Sequence, residues 1–441
     1  MSTISSVSKV NEVLLKSALL ADGSVVDIRI SGEKISEIGT DLTSEGISLD
    51  CTGLRVLPGF VDLHTHLREP GKENAETVLS GSQAAVRGGY TALSAMANTH
   101  PVADSAGVVE QVWRLGKSAG LCDVYPIGAV SEGLEGKKLA EIGAMANSAA
   151  RVRVFSDDGK CVDDPLLMRR ALEYVKSFDG VIAQHAQEPR LTVNAQMNEG
   201  LVAAELGLAG WPAVAEEAII ARDILLAHAV KSRLHICHLS TKGSVEIIRW
   251  AKGQGMAVTA EVTPHHLLLT DESARSYDPI YKVNPPLRTQ SDVQALREAL
   301  ADGTIDIVAT DHAPHPHEDK DCEWASAAFG MVGLETAFAI VHSTMVATGL
   351  MDWKRLVEVM SSKPASIGGY DEQGQALALG SVANLAIIDP SREWVVNRDE
   401  LSSKSKNTPF HGHTLTGAVI HTIYRGKLVV RDQQLTGVGN V

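Results

Sequence analysis

The 441 residues carry 54 acidic side chains against 40 basic ones, a formal net charge of -14, with 44% hydrophobic and only 4% aromatic residues. A chain of this length can bury one large core with a smaller one beside it, and its acidity argues against nucleic acid or an anionic membrane as a partner. Five scattered cysteines, never in a C-x-x-C pair, argue against a disulfide framework or a zinc knuckle and suit a reducing cytoplasm. There is no basic start with an apolar h-region and no run of about eighteen apolar residues, so neither export by an ordinary signal nor a membrane span is expected.

Residues 10 to 56 read as short strands. The stretch VNEVLLKSALLADGSVVDIRISGEKISEIG alternates with period two and breaks at Asp22-Gly23 and Ser31-Gly32. From Val56 the pattern changes to short β-branched runs alternating with Ala-rich helical stretches. Strands are predicted at Val56 to Leu63, Thr91 to Met96, Asp123 to Gly128, Val152 to Ser156, Val181 to Gln184, Leu234 to Cys237, Ala257 to Val262 and Ile305 to Ala309. Helices are predicted between them, for instance over Ala75 to Arg87, Leu166 to Ser177, Glu216 to Ala229, Ser244 to Lys252 and Val293 to Ala301. That order and length predict an α/β chain with a (β/α)8 TIM barrel. A doubly wound sheet would need a glycine-rich phosphate turn after its first strand, where this chain has HTHLREPG. After residue 370 strand patterns return in ANLAIID, WVV and TGAVIHTIYRGKLVVRD. The expected organisation is a barrel over 57–370 beside a small β-sandwich domain built from 1–56 and 371–441.

Chemistry in such a barrel sits at the C-terminal ends of the strands. Strand one ends in His64 and His66, strand two in Asn98, strand four in Asp157 and Asp158, strand five in His185, strand six in His238, and strand eight in Asp311 and His312. Four imidazoles and two carboxylates at one mouth can hold two metal ions with one carboxylate between them. A pair of cations about 3.5 to 4 Å apart clamps both the attacking and the developing oxygen in a hydrolysis, and metal-bound water is available as hydroxide near neutral pH. An Asp at the end of strand eight can take the proton of that hydroxide and pass it to the leaving nitrogen, which assigns Asp311. Arg68, just past the His-x-His, suits a substrate carboxylate.

DLHTHLREPG at 62–71, FSDDG at 155–159, HLST at 238–241, KVNPPLR at 282–288 and ATDHAPH at 309–315 together resemble the class I bacterial dihydroorotases of the amidohydrolase superfamily, over nearly the whole chain. The resemblance implies zinc-dependent, reversible interconversion of (S)-dihydroorotate and N-carbamoyl-L-aspartate, the third step of pyrimidine (UMP) biosynthesis. It implies two Zn2+ per subunit on His64, His66, Asp158, His185, His238 and Asp311, with Asp158 bridging and Asp311 as catalytic base. It also implies a substrate-binding set of His66, Arg68, Asn98, Asn284, His315, Phe329 and Gly330. A homodimer and an association with aspartate transcarbamoylase are further expectations.

Hydantoinases and allantoinases, like some dihydroorotases, resemble this chain but bridge their metals with a carboxylated lysine on strand four, where this chain reads RVRVFSDDG without lysine. Lys160 falls just beyond the glycine. The other alternative, an inactive dihydroorotase-like subunit of an aspartate transcarbamoylase complex, requires lost ligands. His265 and His266 are expected to be structural or to support the ligands. His411 and His413, a second His-x-His without nearby carboxylates, serve as an internal control and are expected in a loop. The charged stretch around His317, Glu318, Asp319 and Asp321 is expected as a loop over the mouth.

Overall fold

The computed structural model describes residues 12–436; the outer ends of the expected β segments, residues 1–11 and 437–441, lie outside the described residues. β1 (Glu12–Leu19), β2 (Val25–Ser31) and β3 (Lys34–Gly39) form an antiparallel meander. Its two turns fall at the predicted breaks, where Gly23 and Gly32 take φ of 90° and 61°, open to glycine without a Cβ penalty. β4 (Ile47–Asp50) and β5 (Arg55–Pro58) run parallel to β1.

The barrel begins with β6 (Phe60–Thr65), β7 (Tyr90–Ala95), β8 (Asp123–Pro126), β9 (Val154–Phe155) and β10 (Val181–Gln184). A two-residue pair, β11 (Met197–Asn198) and β12 (Gly210–Trp211), lies outside it. β13 (Arg233–Ile236), β14 (Val258–Val262) and β15 (Ile307–Val308) complete the eight. The ladders β6-β7-β8 and β9-β10-β13-β14-β15 are parallel throughout, and single bridges of Gly128 with Phe155 and Thr65 with His312 close the ring. Helices alternate with the strands. They include Val78–Arg87, Pro165–Val175, Val214–Val230, Lys242–Gly253 and Gln290–Asp302. Local sequence starts four of these five: Thr77, Asp164, Thr241 and Thr289 each accept a backbone N–H of the first turn. Phe60, Leu93, Val124, Phe155, Ile182 and Leu234 of the strands pack against Ala84, Val112, Leu172, Ile220, Ile248 and Leu296 of the helices.

The predicted strand Val56 to Leu63 is two strands. The chain turns between Pro58 and Phe60, where Gly59 presses on Thr91 so closely that a Cβ would collide. β5 joins the end sheet, and β6 starts the barrel.

β16 (Leu385–Val395), β17 (Thr414–Tyr424), β18 (Lys427–Arg431) and β19 (Gln434–Leu435) bring the tail back onto the N-terminal strands. β16 pairs antiparallel with β5, making one nine-stranded sheet of both chain ends. Strand alternation gives it two buried faces. Val56, Leu385, Ile387 and Ile423 join Leu15, Ile28 and Ile30 in the sheet's own core, while Leu57, Ala386, Ile388 and Val419 join the barrel core.

Candidate active site

The fully buried β6 delivers His64 and His66 to the mouth of the barrel, and every other predicted ligand arrives from a different strand end. Asp158, three residues past β9, lies between two imidazole pairs. Its Oδ2 is 3.4 Å from His64 Nε2 and 3.3 Å from His66 Nε2, and its Oδ1 is 3.1 Å from His185 Nδ1 and 3.2 Å from His238 Nε2. Asp311, past β15, sits with the first pair, its Oδ1 3.0 Å from His66 Nε2 and 3.5 Å from His64 Nε2. All six are buried. His64, His66 and Asp311, and again Asp158, His185 and His238, form groups whose donor atoms could hold an ion.

Burial opposes charge on Asp158, but the His64 imidazole and hydrogen bonds from His185 and His238 hold its carboxyl well below the usual range. The same balance, with His64 and His66 as the imidazoles, lowers Asp311. Burial lowers His64 and His185 as bases, yet the facing carboxylates raise both overall. His64 Nε2 is buried and has no hydrogen-bond partner among the described residues, and His185 Nδ1 lies 2.9 Å from His238 Nε2. Two ring nitrogens at that separation, both aimed at one carboxylate oxygen beside an unpaired third, form a donor set that fits divalent cations.

The backbone at these positions is strained. Arg68, His238 and Asp311 have φ of 63°, 30° and 46°, a conformation that costs non-glycine residues of order 1–3 kcal/mol and gathers at functional sites.

The expected substrate residues surround the cluster. Asn98 Oδ1 accepts from His66 Nδ1 at 2.9 Å, which turns Nε2 toward Asp311. Asn284 Nδ2 donates to Gln187 Oε1, and that same oxygen accepts from His185 Nε2. Arg68 is buried, donates from Nε to Pro314 O at 3.1 Å and brings its guanidinium within 3.4 Å of His315 Nε2. Burial pushes Arg68 down to about 10, with the carboxylates of Asp311 and Asp158 opposing. His315 Nε2 donates to Phe329 O at 2.8 Å, so in this state its hydrogen is taken by the loop. Gly330, at φ 137°, leaves room that a Cβ would take from Ala313 and His315.

A family model described as Dihydro-orotase-like matches residues 53–244. The chain is 64% identical over 427 residues to the dihydroorotase of Streptomyces coelicolor, covering 97% of this chain and 100% of that one. It is 55% identical to the dihydroorotase of Mycobacterium tuberculosis, over 94% and 97% of the two chains. The chain belongs to the dihydroorotase family. Among solved structures, an L-hydantoinase (dihydropyrimidinase) from Arthrobacter aurescens superposes with a TM-score of 0.84 at 28% identity, over 96% of this chain and 97% of that one. A dihydropyrimidinase from Brevibacillus agri shares the fold, with a TM-score of 0.81 at 23% identity over 96% of both chains.

Within this dihydroorotase-family site some sequence candidates stand apart from the cluster. Asp157 accepts the backbone N–H groups of Val130 and Ser131 and the Ser131 hydroxyl, fastening one loop to the next. His312 is tied to Glu76 and to Gly333 N. His266 bonds Thr263 and Pro285 O, and burial pushes His265 down to about 4, with only partial opposition from Asp311. Lys160 is exposed, lining a depression of about 440 Å³ with Gln187 and Pro189. The segment 312–330 forms a short helix, His317–Lys320, and is fastened by two lysines: Lys282 donates to Trp324 O, and Lys320 to Lys282 O and Ala328 O.

Sequence reading missed Glu261, on β14. Its Oε1 lies 2.6 Å from His64 Nδ1 and its Oε2 3.0 Å from His235 Nε2, the carboxylate–imidazole pairing that fixes the tautomer of a metal-binding histidine. Burial would raise this carboxyl, but His64 and His235 hold it well below the usual range. A glutamate as the one charged residue of the run VTAEV was the available signal, though it does not name the partner.

Proposed function

We propose that this chain is a dihydroorotase, opening the ring of (S)-dihydroorotate to N-carbamoyl-L-aspartate and closing it again. The observation that carries the reading is the placement of buried Arg68, a cation for an anionic substrate, at the rim of a cluster in which each Asp158 oxygen faces its own imidazole pair.

Two zinc ions would be held by His64, His66 and Asp311 and by His185 and His238, with Asp158 shared; they would supply a hydroxide at neutral pH and polarise the amide carbonyl. The side chains of this chain do the rest. Arg68, Asn98 and His315 bind and orient the carboxylate by charge-assisted and neutral hydrogen bonds, and Asn284, with a buried Oδ1 lacking a partner among the described residues, offers an acceptor to a ring N–H. Phe329 and Gly330 line the mouth. Asp311 receives the proton of the attacking nucleophile and delivers it to the departing ring nitrogen, as base and then acid. Ring closure reverses these transfers. The reading includes residence in the cytoplasm, supported by the unpaired cysteines and by the lack, among the described residues, of a helix long and apolar enough to cross a membrane.

The test is zinc content beside ring opening for the wild type and Asp311→Asn. About two zinc ions with turnover in the wild type, and a folded variant slowed about 10²- to 10⁴-fold, support the reading. A zinc-loaded wild type that leaves dihydroorotate intact while opening uncharged hydantoins overturns it.

A further inference from the structure

We infer that Asn407, in the C-terminal segment, is a positioning residue for the substrate's carboxylate. The inference rests on the substrate-binding roles proposed above for Arg68, His315 and Gly330. Asn407 is buried and its side-chain amide is fully engaged. Nδ2 donates to Ala313 O at 2.9 Å and to Gly330 O at 3.2 Å, and Oδ1 accepts from His315 N at 3.1 Å. Its own carbonyl accepts from Val332 N at 3.1 Å.

The chain needs such a clip at this point. Segments 312–313 and 331 pair through the His312–Met331 bridge and Ala313 N to Met331 O, but Pro314 has no N–H with which to continue. Ala313 O and His315 N must then find partners elsewhere, and one asparagine meets both while holding Gly330 on the facing segment. What it holds is the carboxylate cradle: Arg68 Nε is bonded to Pro314 O, between the two groups Asn407 clips, and the His315 ring is bonded to Phe329 O, next to Gly330. The same tail segment fastens the loop that follows Arg68, since Ser405 Oγ donates to Ala75 O at 2.7 Å and Lys404 N to Glu76 Oε1 at 3.0 Å. Asn407 makes no hydrogen bond to the Asp158 cluster. The tail therefore sets how tightly substrate is held and leaves bond breaking alone.

Loss of an interaction that serves ground state and transition state alike raises KM with kcat unchanged. In full-length, zinc-loaded enzyme, Asn407→Ala should raise KM for dihydroorotate about tenfold with kcat within about threefold and zinc content unchanged. Asn407→Ser, whose hydroxyl can accept from His315 N, should fall between Ala and wild type. The control is Asn384→Ala, another buried asparagine of the tail, which bonds Arg425 N and Glu372 O far from the cradle; it should lower Tm and leave KM in place. An unchanged KM in Asn407→Ala, or a parallel fall of kcat and zinc content, overturns the inference while a wild type active on dihydroorotate keeps the proposed function standing. A wild type inactive on dihydroorotate removes both.

Discussion

His64 and His66 are buried, with ring nitrogens 3.0 to 3.5 Å from the carboxylates of Asp158 and Asp311. His411 and His413 repeat the spacing in the tail and are exposed; the first accepts the backbone N–H of Arg398, and the second lies edge-on to Phe410. The sequence His-x-His is the same. What differs is that β6 has parallel neighbours on both sides and leaves the barrel where seven other strands end, whereas the second pair lies in a turn before β17. A motif acquires chemistry from the strand ends that converge on it.

The sharpest way to break this contrast is Asp158→Ala, which leaves His64 and His66 in place but removes the carboxylate shared by both imidazole pairs. Ring opening should fall by at least about 10³-fold with loss of bound zinc, read by atomic absorption beside a rate assay. A smaller loss is expected from Glu261→Gln. Gln can still accept from His64 but no longer balances its charge, and metal affinity should weaken about 10- to 100-fold in a chelator competition.

Glu335 lies between the two regions. It accepts Ser402 N at 2.7 Å and meets Arg87 at 3.4 Å, yet burial outweighs both and pushes its carboxyl up to about 7. A carboxyl raised on folding favours the folded state when protonated. Its contribution is complete below the unfolded value near 4.5 and is lost as pH rises through about 7. Glu335→Gln should therefore leave Tm nearly unchanged at pH 5 and raise it by about 2–4 °C at pH 8 by calorimetry; an equal shift at both pH values would refute this. The smallest effect belongs to the control pair. His411→Ala with His413→Ala should leave zinc content and kcat/KM within about twofold, and a larger loss would mean that the tail pair has a role the geometry does not show.

The convergence of His64, His66, Asp158, His185, His238 and Asp311 was legible because strand ends can be counted from β-branched runs, and each of the six follows such a run. The Asp157 and Asp158 pair shows the limit of that reading. Neighbouring side chains point in different directions, and only the packed structure shows that Asp157 staples Ser131 while Asp158 enters the cluster. Glu261 and Asn407 were not legible for a further reason. The first meets His64 across 197 positions and the second meets His315 across 92, and no local pattern records such a meeting. The junction at Gly59 was hidden because β5 and β6 read as one apolar run, and their separation is imposed by the close packing on Thr91.

The pairing of β5 with β16 bears on how the protein is made. β5 ends at Pro58 and its partner begins at Leu385, so at 5–20 residues per second the ribosome needs roughly 15–65 s to supply the missing strand. Throughout that interval the growing chain presents an unmatched β edge beside a barrel still under construction, a template for neighbouring nascent chains. Productive synthesis then depends on shielding that edge until β16 emerges, and a message truncated before Leu385 should yield aggregate instead of a smaller working enzyme.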